Sequence, residues 1–309
     1  MAAPKKKKAT NASRNRFIFG GPLSFFEPIN AAEKDAGIIS GPFSAFRENL
    51  QSAILVGSIP FQLVQSSVLQ QRFNQLHTAA RIRSLKGDGS KREPEAEKAA
   101  YQIARDEMDK ELQDKTVINR HAGNTLSTLD SHLRNIDFST SADELLRQVI
   151  VMAWGAFETL VNDGLRVSIN SDPTKILKIA VDKNYKDALF GKSIIDELDK
   201  RGFNLSNCMG DLFIDAVRID NLEKIHDVCA KLFSAPELNK ALKDKELWKL
   251  SQRRHLIVHR RGIVDNRYLG KTGDKRVLGA RLALTADEVE AALTIVRDTG
   301  ITFTRVAAA

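Results

Sequence analysis

The stretch from Leu145 to Val161 narrows the choice of fold more than any other part of this chain. Leu145, Leu146, Val149, Ile150, Met152, Ala153, Ala156, Phe157, Leu160 and Val161 recur at helical spacing. Their apolar stripe is too thick for a surface helix, so the helix must be well buried among neighbours. The preceding Ser139-Thr140-Ser141-Ala142-Asp143-Glu144 reads as a helix start, with a hydroxyl cap and early acids. Gly164 lies near the expected end, and Asp172-Pro173 stops any continuation. With only 8 prolines and 18 glycines in 309 residues, neither a disordered nor an all-β chain is expected. Abundant Leu, Ala, Lys, Arg, Asp and Glu favour helices. The fold class expected is all-α.

Three regions are expected along the chain. Residues 1–16 carry Lys5, Lys6, Lys7, Lys8, Arg14 and Arg16 with no acid, the composition of a disordered basic arm. Such a block attracts phosphate, serves as a localisation signal, or is simply a solvated tail. Residues 17–139 form an unassigned amino-terminal region. Up to about residue 45 it is broken by Gly20-Gly21-Pro22, Pro28, Gly37 and Gly41-Pro42, with Phe17, Phe19, Phe25, Phe26, Phe43 and Phe46 between them. Those aromatics either line a nucleic-acid groove or, the favoured reading, anchor an extended segment on a helical body. Helical spacing follows to Leu85, with Pro60 a break or a start. Lys86 to Ser90 and Pro94 make a linker, and Glu93 to Gln113 an exposed, charge-paired helix. His121 and His132 are expected at the surface.

Residues 140–309 form the third region. After the apolar helix come one or two helices over Thr174–Leu198, one helical stretch over Met209–Phe233, and a helix from about Leu238 to Arg260 ending at Gly262. Asp265-Asn266 and Gly270 to Gly273 are turn-like, and Arg276 to Leu284 suits a short extended segment. Thr285-Ala286-Asp287-Glu288 opens a last helix through about Arg297 as a capping box.

Net charge is +8, of which the first sixteen residues hold +6, so the folded body is nearly neutral. Affinity for nucleic acid must then come from local clusters. Two cysteines, Cys208 and Cys229, point to a reducing compartment rather than a disulfide framework. No run of about 18 apolar residues and no secretion-signal core stand out, so no membrane association and a cytoplasmic location are expected.

The chemistry concentrates between Leu247 and Leu269. Lys249, Arg253, Arg254, Arg260 and Arg261 crowd around His255 and His259, with no carboxylate between Lys249 and Arg261. Imidazoles titrate near neutral pH, and among fixed cations they suit work on a phosphodiester. The two histidines lie four apart, yet no third ligand is evident, so no metal and no cofactor are expected. The arginines also fit a solvated helix end complementing the dipole. Positions five apart on a helix differ by about 140°, so Arg254 and His259 are not expected to share a face on a regular helix.

Arg254-His255-Leu256-Ile257-Val258-His259 resembles the Arg-x4-His signature of HEPN domains, helical nucleotide-binding and ribonuclease modules. The run Arg260-Arg261-Gly262-Ile263-Val264-Asp265 to Leu269, the segment Leu282 to Val296 and the helix bearing Trp154, Phe157 and Glu158 extend the likeness over about residues 140–309. The resemblance implies a multi-helix bundle and a metal-independent endoribonuclease, of toxin or phage-defence type. In it the RNA 2′-hydroxyl attacks the adjacent phosphate, with His259 as general base or acid. Arg254 would bind the phosphoryl oxygens, and His255 would orient the phosphate or assist proton transfer. Arg253, Arg260 and Arg261 would hold the flanking backbone. It further implies a homodimer that pairs Arg254 of one chain with His259 of the other, and an antitoxin or regulatory partner. The alternatives are a catalytically silent HEPN module binding RNA, a nucleotide or a protein, and an interaction protein working through its amino-terminal region. Glu158 would be either a buried partner for an arginine or an exposed acid.

Overall fold

The computed structural model describes residues 16–18, 23–84, 94–191, 194–204 and 207–309. Among them the chain forms fourteen α-helices and no strand, an all-α fold. The helices are α1 (Leu23–Ala32), α2 (Ser40–Arg83), α3 (Pro94–Glu111), α4 (Lys115–His132), α5 (Ile136–Ser171), α6 (Lys175–Ile179), α7 (Lys183–Phe190), α8 (Ile194–Lys200), α9 (Met209–Val217), α10 (Leu222–Leu232), α11 (Pro236–Leu242), α12 (Lys245–Arg260), α13 (Asn266–Thr272) and α14 (Ala286–Ala308). Two compact units result: Met1–Phe19 with Ser58–Glu144, and Gly20–Gly57 with Leu145–Ala309. This division departs from a boundary at residue 139, because 20–57 cluster with the carboxy-terminal part and both α2 and α5 cross from one unit to the other.

In the first unit, Phe17, Leu129 and Ala142 make one small core and Leu76, Ala104 and Met108 another. Helix α3 buries Ala100, Ala104 and Met108, a stripe at four-residue spacing. Its acids pair with α2 across the helices: Glu107 with Arg83 at 3.0 Å, and Glu111 with Arg72. His121 is buried at 6% exposure, against the surface position expected for it, with Nε2 3.4 Å from Glu111. His132 is exposed, as expected.

The second unit is a bundle around the rest of α5 and α14. Trp154, Phe157, Leu160, Val161, Leu165 and Ile169 are buried on α5, as the apolar stripe requires. Glycines permit its closest approaches: a Cβ on Gly300 would lie 2.4 Å from Phe46, and one on Gly164 would lie 2.6 Å from Phe303.

Of the segment up to about residue 45 that was expected to be irregular and extended, residues 23–43 are instead α1, two 3-10 turns and the start of α2. Pro42 falls in the first turn of α2, where its missing N–H costs nothing, so the Gly-Pro pair starts a helix rather than breaking one. Phe43 and Phe46 are buried, whereas Phe19, the glycines before Pro22, the lysines of the basic arm and the segment Lys86–Ser90 lie outside the described residues. Pro60 lies inside α2.

Helix α5 starts at Ile136, capped by Asn135 Oδ1 accepting from the Asp137 amide at 2.8 Å, and not at Ser139. Thr174–Leu198 holds two whole helices and most of a third, and Met209–Phe233 holds two. Asn221 caps α10 and Asp244 caps α12, each splitting what periodicity joined. One helical stretch, Gly37–Arg83, contains an 18-residue window of mean hydropathy 1.4, long and apolar enough by composition to cross a membrane. Ser52, Gln62, Ser66 and Ser67 lie exposed within that helix, which makes it a weak candidate.

Candidate functional site

Helix α12 carries the site, and its register is fixed from behind. Leu247, Leu250, Leu256 and Ile257 are buried. Arg253 is buried with them, at 6% side-chain exposure, donating to Glu288 at 2.6 Å with Asp274 at 3.8 Å. Arg276 Nη2 shares the same Glu288 oxygen at 2.5 Å. The Glu288 backbone amide and carboxylate also close the α14 capping box with Thr285, as the sequence predicts. Burial works against the Glu288 and Asp274 charges, yet hydrogen bonds from Arg276 to Glu288 and from Tyr268 to Asp274 help hold both carboxyls below their ordinary value. Tyr268 is pushed up to about 12 by burial and that bond. Arg253 is therefore a structural clamp, which corrects its expected phosphate role.

The opposite side of α12 lines a cleft of 510 Å³. Trp248, Ser251, Gln252, Arg254, His255, Val258 and His259 face it. At about 100° per residue, Arg254 and His259 stand about 140° apart around this face, with Val258, Ser251, His255 and Trp248 between them and Gln252 just beyond His259. The helix runs on to Arg260. One chain thus brings both ends of the motif to one cleft without distortion, contrary to expectation. Both residues reach this cleft from a single chain, so their spacing does not by itself require a second copy.

Arg260 and Arg261 stand apart from this cleft. Arg260 is exposed, 3.9 Å from Asp265. Arg261 is exposed at φ +53 and ends the helix, with Gly262 at φ +73 donating to the Leu256 carbonyl at 3.0 Å.

Other elements complete the walls. Helix α5 supplies Trp154 and Glu158, the α9–α10 turn supplies Asp220 and α10 supplies Glu223, and α13 supplies Arg267 and Lys271. Glu158 accepts from Arg254 Nη2 at 3.4 Å, so it is the arginine's partner. Burial pushes the Glu158 carboxyl up, Arg254 pulls it down, and Asp220 adds to the rise. One long bond leaves most of the five Arg254 donors unused.

The rings of His255 and His259 lie 4.7 Å apart, centroid to centroid. Burial lowers the His255 imidazole, and His259, Arg267, Arg254 and Lys271 lower it further. It is therefore uncharged at neutral pH and able to accept a proton. Among the described residues no group of three His, Cys, Asp or Glu is arranged for a metal ion.

Arg267 and Lys271 were missed in the sequence because their segment reads as turns. Asp265 is instead the cap of α13, accepting from the Tyr268 amide at 2.7 Å, and Gly273 ends the helix at φ +64. The signal was the four-residue spacing of the two cations, which places them on one face. Arg267 makes no ion pair with a carboxylate among the described residues, and Lys271 sits 5.3 Å above the Trp248 ring.

Comparison with protein-family models, curated proteins and solved structures finds no match for this chain.

Proposed function

We propose that the chain is a metal-independent endoribonuclease of the HEPN type, acting through the α12 cleft. The observation that carries this reading is the convergence of Arg254, His255 and His259 on one solvent-open cleft with Arg267 and Lys271. His255, uncharged at neutral pH, takes the proton of the RNA 2′-hydroxyl as that oxygen attacks the adjacent phosphorus. The bond from phosphorus to the 5′ oxygen breaks, and His259 supplies the proton that oxygen needs. The products are a 2′,3′-cyclic phosphate and a 5′-hydroxyl. Arg254, oriented by Glu158, donates to the phosphoryl oxygens where charge builds, and Arg267 and Lys271 hold the strand. A toxin or defence role, a cytoplasmic location, a homodimer and an antitoxin or regulatory partner belong to the same proposal.

The test is incubation with mixed single-stranded RNA in excess chelator. Cleavage by the wild type that is lost in His259→Ala and Arg254→Ala supports the reading; no cleavage by any of the three refutes it. One observation favours the alternative, a module that binds a nucleotide or partner without cleaving. The wall formed by Glu158, Asp220 and Glu223 offsets the cations, which suits a small ligand better than a long polyanion.

A further inference from the structure

A smaller cavity of 210 Å³ adjoins the cleft and is lined by Leu222, Glu223, His226, Leu242, Lys243 and Trp248. Leu222, Glu223 and Trp248 belong to both, so the indole stands at the junction. The volume suits a single ring system, below the roughly 300 Å³ where drug-sized sites begin. The indole is held in place: Nε1 donates to the Lys271 carbonyl at 3.1 Å, and the Lys271 ammonium sits over the ring. Leu222 and Leu242 supply apolar walls. The polar groups are unspent. Neither the Glu223 carboxylate nor the Lys243 ammonium makes a hydrogen bond or ion pair among the described residues, and His226 Nε2 is buried with no hydrogen-bond partner. Burial and nearby Lys243 hold the His226 imidazole below its ordinary value, so it is uncharged.

We propose that this cavity is a base subsite selective for guanine, next to the reacting phosphate. The assignment rests on the ribonuclease reading for its ligand class, since a strand at Arg254 must place a base beside it. An aromatic ring beside a cationic cleft is a stacking platform for an unpaired base. A carboxylate accepts only, and of the four RNA bases guanine alone offers two adjacent N–H donors, N1 and N2, to its two oxygens. The neighbouring O6 and N7 are acceptors, which suits the Lys243 ammonium, a donor only.

Trp248 can report occupancy directly, because the protein has only one other tryptophan, Trp154, and that one is 2% exposed. The experiment is a fluorescence titration of the full chain with the four nucleoside 5′-monophosphates, for wild type, Glu223→Gln and Trp248→Phe. The expected result is quenching by guanosine monophosphate with a Kd about tenfold or more below the other three. Glu223→Gln, an exposed position, should shrink that preference to about threefold or less, and Trp248→Phe should remove the quenching. Equal affinities, or a preference that survives Glu223→Gln, overturn the proposal. The titration needs no cleavage, so the two readings fail separately. Selective binding without RNA cleavage leaves the subsite standing and the nuclease refuted. Cleavage without nucleotide preference does the reverse.

Discussion

Glu288→Gln should destabilise the protein substantially while leaving the cleft residues in place. The substitution keeps the side chain's shape and removes its charge. Arg253, at 6% side-chain exposure, is then left with Asp274 at 3.8 Å as its carboxylate partner, and Arg276 loses the Glu288 charge at 2.5 Å while keeping Asp274 at 3.3 Å. Breaking a buried pair from one side costs about 3–5 kcal/mol. Glu288 keeps 29% of its side chain exposed and Asp274 remains, so about 2–3 kcal/mol is the expected loss. At about 2–4 °C per kcal/mol for a unit of this size, Tm should fall by about 4–12 °C at pH 7. The pH dependence is fixed in sign. Glu288 and Asp274 have folded values below their ordinary ones. Their stabilisation is thus present above the ordinary carboxylate range, near pH 4–5, and is lost as pH falls through the lowered values. The gap between wild type and Glu288→Gln should be full at pH 7 and should close towards pH 3. Thermal denaturation followed by circular dichroism reads both. A Tm within about 1 °C of wild type at pH 7, or a gap unchanged at pH 3, would refute the clamp.

Gly300→Ala should lower stability by about 1–2 kcal/mol, since its Cβ would meet buried Phe46 at 2.4 Å, and a chemical denaturation midpoint checks it. Gly155→Ala, in the interior of α5 with nothing within 4 Å, should instead gain up to about 1 kcal/mol from helix propensity. The acid limb of the cleavage pH profile should have its midpoint below about 6.5, because His255 must be uncharged and its value is lowered. Arg267→Ala, which removes one of the cations responsible, should move that midpoint upward. In thiol titration of the native protein, Cys208 should react first, because Cys229 is fully buried and burial pushes its thiol up.

The sequence exposed those features whose causes are local. Thr285 and Glu288 sit three residues apart and form the capping box their spacing announces, and Asp172-Pro173 ends α5 where proline must. The apolar stripe of α5 declared its own burial. Caps in the middle of periodic stretches were harder to read. Asn221, Asp244 and Asp265 each start a helix through a side-chain oxygen, yet in sequence they look like surface residues or turns. Neighbouring arginines were not separable at all. Arg253 and Arg254 differ by about 100° around one helix, and which is buried depends on Glu288, 35 residues away in the chain. The buried position of His121 likewise depends on packing against other helices, and its own polar surroundings give no hint of it. The site itself was legible as a motif, but its walls, from α5, α10 and α13, were not.

The most direct measurement is mass spectrometry of RNA products formed in excess chelator by wild type and His259→Ala. Transfer to the 2′-hydroxyl predicts fragments ending in a 2′,3′-cyclic phosphate from the wild type and intact RNA from the variant. Products ending in a 3′-hydroxyl and a 5′-phosphate, or equal cleavage by both proteins, would contradict the assignment of Arg254, His255 and His259 to that chemistry.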